Sequence, residues 1–256
     1  MQQVVVDGVR LRIEHAVVDQ HRLTLVFLHD SLGSIELWRD FPAKLANACS
    51  CNLLIYDRQG HGESAPLGLT ARTSDYLERE ADLLHDLLQQ LDIQQAILFG
   101  HSDGGSIALI AASKYPSRIK GVISEAAHIF VEEITLQGIR AAVHSYEHTA
   151  LKRRLEMYHG EKTEAIFRAW AGTWLKEEYR SWNIEHFLPG IQCPVLVIQG
   201  EKDEYGSEAQ VDGVIDAVSG TVQKLMIPGI GHTPHKEAPD AVLRATASFI
   251  LGLAGP

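Results

Sequence analysis

The chain has 256 residues, 45% of them hydrophobic, which is enough for one large α/β domain with a sizeable core. Its formal net charge is −10, so a polyanion such as nucleic acid is excluded as a partner, because binding one needs clustered Lys and Arg. No stretch approaches the ~18 apolar residues of a membrane span, and the opening MQQVVVDGVRLRIEH has neither the basic start nor the apolar core of a signal peptide.

In chain order, VVVDGVRLRIEH alternates around Asp7-Gly8 and predicts an edge hairpin. Short apolar runs bounded by turn residues follow: TLVFLHD (24–30), NLLIYD (52–57), AILFG (96–100), KGVISEA (120–126), CPVLVIQG (193–200) and VQKLMIP (222–228). They read as buried parallel strands. Between them, DYLEREADLLHDLLQQL (75–91) places Leu77, Leu84, Leu87, Leu88 and Leu91 on one helical face. Ser74 or Asp75 is positioned to cap it, with Glu78 three residues after Asp75. Residues 235–252 predict a closing helix. Strand and helix in alternation imply a mostly parallel, doubly wound α/β sheet.

One stretch breaks the rhythm. Residues 128–189 contain no strand-like run but carry Trp170, Trp174, Trp182, Tyr146, Tyr158 and Tyr179. That is too long for an ordinary connection, so it is expected to be a helical cap inserted into a core made of 1–127 and 190–256. Cys49, Cys51 and Cys193 leave one thiol unpaired under any internal scheme, which is the expectation for a reduced, cytoplasmic protein.

The chemistry gathers at strand ends. Gly100-His101-Ser102-Asp103-Gly104 fits G-x-S-x-G, a weak motif alone but here set between a strand and the helical pattern SIALIAASKYP. Such a turn strains its central residue and exposes Ser102 at the sheet edge, in front of helix amides that favour an anion. A serine nucleophile needs a base, and the base needs an orienting acid. His232 lies in the glycine-rich loop PGIGHTPH after the last strand. Asp203 lies in GEKDEYG after the strand before it, and Glu125, at the end of GVISEA, is a second acid position. The oxyanion donors are expected from the amides of Asp103 and of Ser31 in HDSLG. No metal or other cofactor is called for: His232 and His235 lack a third ligand that spacing identifies.

These landmarks, with DRQGHGES (57–64), resemble the α/β-hydrolase superfamily over nearly the whole chain. The family usually has His-Gly at the oxyanion loop, whereas this chain has His29-Asp30; the 57–64 turn reads as structural. HSDGGSIALIAASKYPSRIKGVI, the segment GIRAAVHSYEHTALKRRLEMYHGEKTEAIFRAW and HFLPGIQCPVLVIQGEKD are similar to the biphenyl-hydrolase-like valacyclovirase group. That resemblance implies that Asp103 binds the α-ammonium of an amino-acid ester, with Glu125 as a second candidate ligand. The alternative is that Asp103 turns away and complements the positive end of its helix, worth about 0.3–1 kcal/mol. The expected function is therefore serine hydrolysis of a small-molecule ester. An amidase or iminopeptidase and a C–C bond hydrolase use the same triad, and a ligand receptor retaining the pocket is the non-enzyme alternative. The sequence leaves oligomeric state open.

Overall fold

The computed structural model describes residues 2–68 and 72–253. Its strands are β1 Gln2–Val6, β2 Val9–Ala16, β3 Thr24–Leu28, β4 Asn52–Tyr56, β5 Ala96–His101, β6 Ile119–Glu125, β7 Val195–Gly200 and β8 Val222–Ile227. They form one sheet in the order β1-β2-β4-β3-β5-β6-β7-β8. The β1–β2 hairpin turns on Asp7 and Gly8, both at positive φ, and adds to β4 antiparallel. All later pairings are parallel.

The parallel strands β3 to β7 are buried on both faces, and their side chains alternate between two cores; β8, at the edge, is largely half-buried or exposed. Val26, Leu28, Leu98 and Val122 face one core, while Leu25, Phe27, Ile97, Phe99 and Ile123 face the other. The first is covered by α2 Tyr76–Gln90, α3 Asp103–Lys114 and α7 Glu208–Ala217; the second by α1 Phe41–Cys49 and α9 Pro239–Leu253, which follows the single turn α8 Pro234–Glu237. No helix among the described residues is long and apolar enough to cross a membrane.

Two local expectations are corrected. The closing helix is broken at Ala238 between α8 and α9. Pro239 has no N–H to continue the first turn and disfavours helical backbone at the residue before it. At the start of α2, Asp75 occupies the N-cap position, but its carboxylate accepts from Arg79 Nε (2.9 Å) and Thr73 rather than from helix amides.

Between β6 and β7 lie α4 Glu133–His148, α5 Leu151–His159 and α6 Thr163–Trp174, followed by short 3-10 turns. This segment does not have a separate core: Ile139, Tyr146, Phe167 and Trp174 join the same cluster as the sheet face above. Its end is fastened by aromatics. Tyr179 stacks on Trp182 at 5.5 Å and meets Trp174 edge-on at 5.2 Å, and Trp174 Nε1 donates to Tyr76 Oη at 3.0 Å.

Candidate active site

The site begins with backbone strain. Ser102 sits at φ 55°, ψ −119°, a conformation L-residues avoid, between β5 and α3. The turn is this tight because Gly100 and Gly104 have no Cβ. One built on Gly100 would lie 2.1 Å from the Gly104 carbonyl oxygen, and one on Gly104 2.0 Å from that of Leu28. The serine hydroxyl is thereby presented at the C-terminal edge of the sheet.

Two other strand ends supply its neighbours. His232, in the loop after β8, places Nε2 3.0 Å from Ser102 Oγ. Its Nδ1 lies 2.8 and 3.0 Å from the two carboxylate oxygens of Asp203, which follows β7. Asp203 Oδ1 also accepts from the amides of Tyr205 (2.8 Å) and Gly206 (3.3 Å), so the acid is held as firmly as it holds. Burial alone would raise the Asp203 carboxyl; the hydrogen bond and charge of His232, with the Tyr205 amide, outweigh it and keep it below the ordinary range. The arrangement can pass a proton from Ser102 to His232 while Asp203 fixes the imidazole tautomer. Behind it, His101 Nε2 donates to the His232 carbonyl at 2.8 Å and tethers that loop.

The loop after β3, where the oxyanion donors are expected, is organised by its carbonyls. Asp30 closes the turn by accepting from Leu32 N (2.8 Å, Oδ1) and Gly33 N (3.2 Å, backbone oxygen). Imidazoles then meet three successive carbonyls: Asp30 accepts from His29 Nδ1 at 2.7 Å and Leu32 from His159 Nε2 at 2.9 Å, while His61, whose Nδ1 faces the Gln59 carbonyl at 3.0 Å, places Nε2 2.9 Å from that of Ser31. Arg58 Nη2 adds a third donor to the Asp30 backbone oxygen at 2.9 Å. Because the peptide is planar, fixing the Asp30 carbonyl aims the Ser31 N–H the opposite way. The Ser31 and Asp103 amides have no protein partner among the described residues. The aspartate in place of the family's glycine is thus accommodated by its own turn.

The Asp103 carboxylate is buried and internally paired. Arg58 Nη2 lies 3.4 Å from its Oδ2, and Tyr76 Oη donates to the same oxygen at 3.1 Å. Oδ1 has no protein partner among the described residues, and Asp103 lines a cavity of about 110 Å³ with Ser31, Ser102, His128, Trp174 and His232. Thr135 and Ile139 of α4 and Trp170 of α6 complete its outer wall.

Glu125 does not reach that cavity. Strand alternation puts it on the same face as Ile123, toward α1 and α9. There its Oε1 accepts from His235 Nδ1 at 2.5 Å and from the His235 amide at 3.2 Å. It is therefore placed neither as the acid for His232 nor as an ammonium ligand. His101, Glu125 and His235 are the one group among the described residues with metal-like proximity; His101 Nε2 is committed to the His232 carbonyl and His235 Nδ1 to Glu125, while His101 Nδ1 lies 3.4 Å from Asp30 Oδ2.

Sequence reading missed Arg58, Tyr76 and His128. Arg58 lies in the 57–64 turn, which had a sufficient structural reading. Tyr76 looks like an ordinary helix-face aromatic. His128 Nε2 donates to the Tyr205 carbonyl at 3.0 Å, and burial, then the charge of His232, lower its pKa. Its remaining ring nitrogen is an acceptor on a cavity-lining residue. No spacing rule flags any of the three.

Comparisons with known proteins agree with this architecture. A sequence profile described as "Alpha/beta hydrolase family" matches residues 25–245. The chain is 32% identical over 255 residues to "Serine hydrolase BPHL" of Mus musculus, covering 97% of this chain and 85% of the relative. It is 24% identical over 259 residues to "Esterase YbfF" of Escherichia coli strain K12, covering 94% and 98%. Among solved structures it resembles MGS-M2, an alpha/beta hydrolase enzyme from a Medee basin deep-sea metagenome library, with TM-score 0.79, 19% identity and coverage of 100% and 98%.

Proposed function

The chain belongs to the alpha/beta hydrolase family, and on that footing we propose that it is a serine hydrolase of small carboxylic esters working through an acyl-enzyme. Ser102 Oγ attacks the ester carbonyl as His232 Nε2 takes its proton. The oxyanion is received by the Ser31 and Asp103 N–H groups. His232, now protonated and held by Asp203, gives the proton to the leaving alkoxide. Water then repeats the sequence on the acyl-enzyme and releases the acid. The observation that carries this reading is the unbroken contact from Ser102 Oγ through His232 to Asp203, at 3.0 and 2.8 Å, on a strained strand-to-helix turn.

The segment 128–189 acts as the cap. Its aromatic wall and the cavity of about 110 Å³ favour a short acyl chain, since a ~150 Å³ cavity is what admits benzene. Asp103 Oδ1 receives an α-ammonium when the acyl group carries one, which makes α-amino-acid esters the finer substrate class. The three free cysteines support a reducing, cytoplasmic setting.

The test is a hydrolysis screen of ester and amide panels, with and without an α-amino group, on wild type and Ser102→Ala, alongside fluorophosphonate labelling. Ester turnover and labelling that both vanish in Ser102→Ala support the assignment. Amides cleaved faster than esters would move it to the amidase class. A folded wild type that neither labels nor turns over would move it to the receptor class.

A further inference from the structure

Arg58 is fully buried, and one of its atoms makes both of its contacts at the site: Nη2 lies 2.9 Å from the Asp30 carbonyl oxygen and 3.4 Å from Asp103 Oδ2. Its Nε and Nη1 are buried without a hydrogen-bond partner among the described residues. The guanidinium thus has one hydrogen-bonding nitrogen, Nη2, and two that make no hydrogen bond among the described residues. Its electrostatic partners are two carboxylates, Glu80 on α2 and Asp103 beside the nucleophile. Burial works against its charge, and Glu80, then Asp103, hold it protonated.

We propose that Arg58 is a specificity-determining residue: by neutralising Asp103 from inside the protein, it sets the balance between neutral and cationic acyl groups. This rests on the reading of Asp103 as the receiver of a substrate ammonium. An unpaired carboxylate beside the oxyanion holes' donors would repel the oxyanion of every neutral ester and reward only substrates that bring their own cation. With Arg58 in place the pair is close to neutral, so an uncharged acyl group meets no penalty, and an ammonium at Oδ1 shares a charge that Arg58 already partly answers. Arg58 acts through Asp103 and does not itself line the cavity, so it is a positioning and charge-setting group, not a catalytic one.

The experiment is a double-mutant cycle on wild type, Arg58→Gln, Asp103→Asn and the double variant. The readout is the ratio of kcat/KM for an α-amino ester to that for its deamino analogue with the same alcohol. Losing Arg58 also frees the Asp30 carbonyl, but that effect is common to both esters and cancels in the ratio. Arg58→Gln is expected to raise the ratio on the order of tenfold to a hundredfold, chiefly by slowing the neutral ester. In the Asp103→Asn background the same change is expected to leave it within about twofold. A ratio unmoved by Arg58→Gln, or moved equally in both backgrounds, overturns the proposal. If wild type and Asp103→Asn treat the two esters alike, while Arg58→Gln slows the neutral ester and Asp103→Asn relieves it, the proposal stands and only the amino-ester reading fails. Should Arg58→Gln not fold, the thermal melt of Asp103→Asn reads the pair from the other side. A fall in Tm of more than about 4 °C supports the pairing, because it leaves a buried guanidinium short of a partner, and any smaller change overturns it.

Discussion

Arg58 Nη2 stands 3.4 Å from Asp103 Oδ2, with both side chains sealed from solvent. A carboxylate next to the nucleophile is hard to reconcile with an oxyanion about 5 Å away, since the repulsion at an effective dielectric near 20 is about 3 kcal/mol. The internal cation removes most of that conflict without help from the substrate. Because the pair is enclosed, salt should screen it weakly. Raising ionic strength from about 0.05 to about 0.5 M is expected to change the amino-to-deamino ratio of kcat/KM by less than about threefold. A steep decline measured in that titration would mean that the charges are solvated and the pairing is loose.

The acid partner of His232 can be told apart from Glu125, the second acid position that the sequence offers. Asp203→Asn should lower kcat by about 10⁴-fold, because the amide stabilises the wrong imidazole tautomer. Glu125→Gln should leave kcat within about tenfold but lower stability by about 1–3 kcal/mol, since it weakens the buried bond to His235. Steady-state kinetics and urea melts on the two variants check both halves. The reverse pattern would hand the acid role to Glu125.

Buried imidazoles make the protein acid-sensitive, and His29 shows the sign. Burial, then the charge of Arg58, push its pKa down to about 3. The unfolded chain, titrating near ~6.5, therefore takes up the proton first as pH falls. The contribution of His29 to stability is fully present above ~6.5 and drains away as pH drops toward its folded value, at about 1.4 kcal/mol per pH unit. His61, His128 and His159 shift in the same direction, whereas His101, held up by Asp30 against burial, contributes the opposite slope as pH rises. Urea midpoints measured from about pH 7 to about pH 4 should fall steeply, and His29→Asn should flatten the slope by up to about one proton.

His159 links the helical segment between β6 and β7 to the loop after β3. Its Nδ1 accepts from Gly62 N at 3.0 Å while Nε2 donates to the Leu32 carbonyl. His159→Leu should lower kcat by about tenfold to a hundredfold with KM little changed, because a displaced donor matters most in the transition state. His159→Gln, whose amide N–H reaches a similar point, should recover most of the loss. A rise in KM with constant kcat would instead mean that the histidine only shapes the binding cavity.

What the sequence by itself determined follows from local rules. Apolar runs of strand length, broken by helical periodicity, imply the parallel sheet, because burial on both faces demands near-continuous apolar residues. Gly100 and Gly104 announce the turn because a Cβ at either position would fall 2.1 or 2.0 Å from a backbone carbonyl oxygen, so only glycine fits. His232 and Asp203 stand out because they sit in loops just past strand ends, and parallel strands deliver all such loops to one edge. Pro239 is a further local signal, since it ends the turn before it and opens α9.

The rest was decided by tertiary structure. Whether Glu125 serves Ser102 depends on which face of β6 it occupies, and the packing of the sheet fixes that face as the one it shares with Ile123. The partner of Asp103 is Arg58, 45 residues earlier in the chain, in a turn whose sequence already had a structural explanation. His159 reaches Leu32 across 127 residues. Charge pairing and hydrogen bonding act over a few ångströms regardless of chain separation, so the electrostatic character of the pocket is settled only when β3, β4, β5 and the helical segment are packed together.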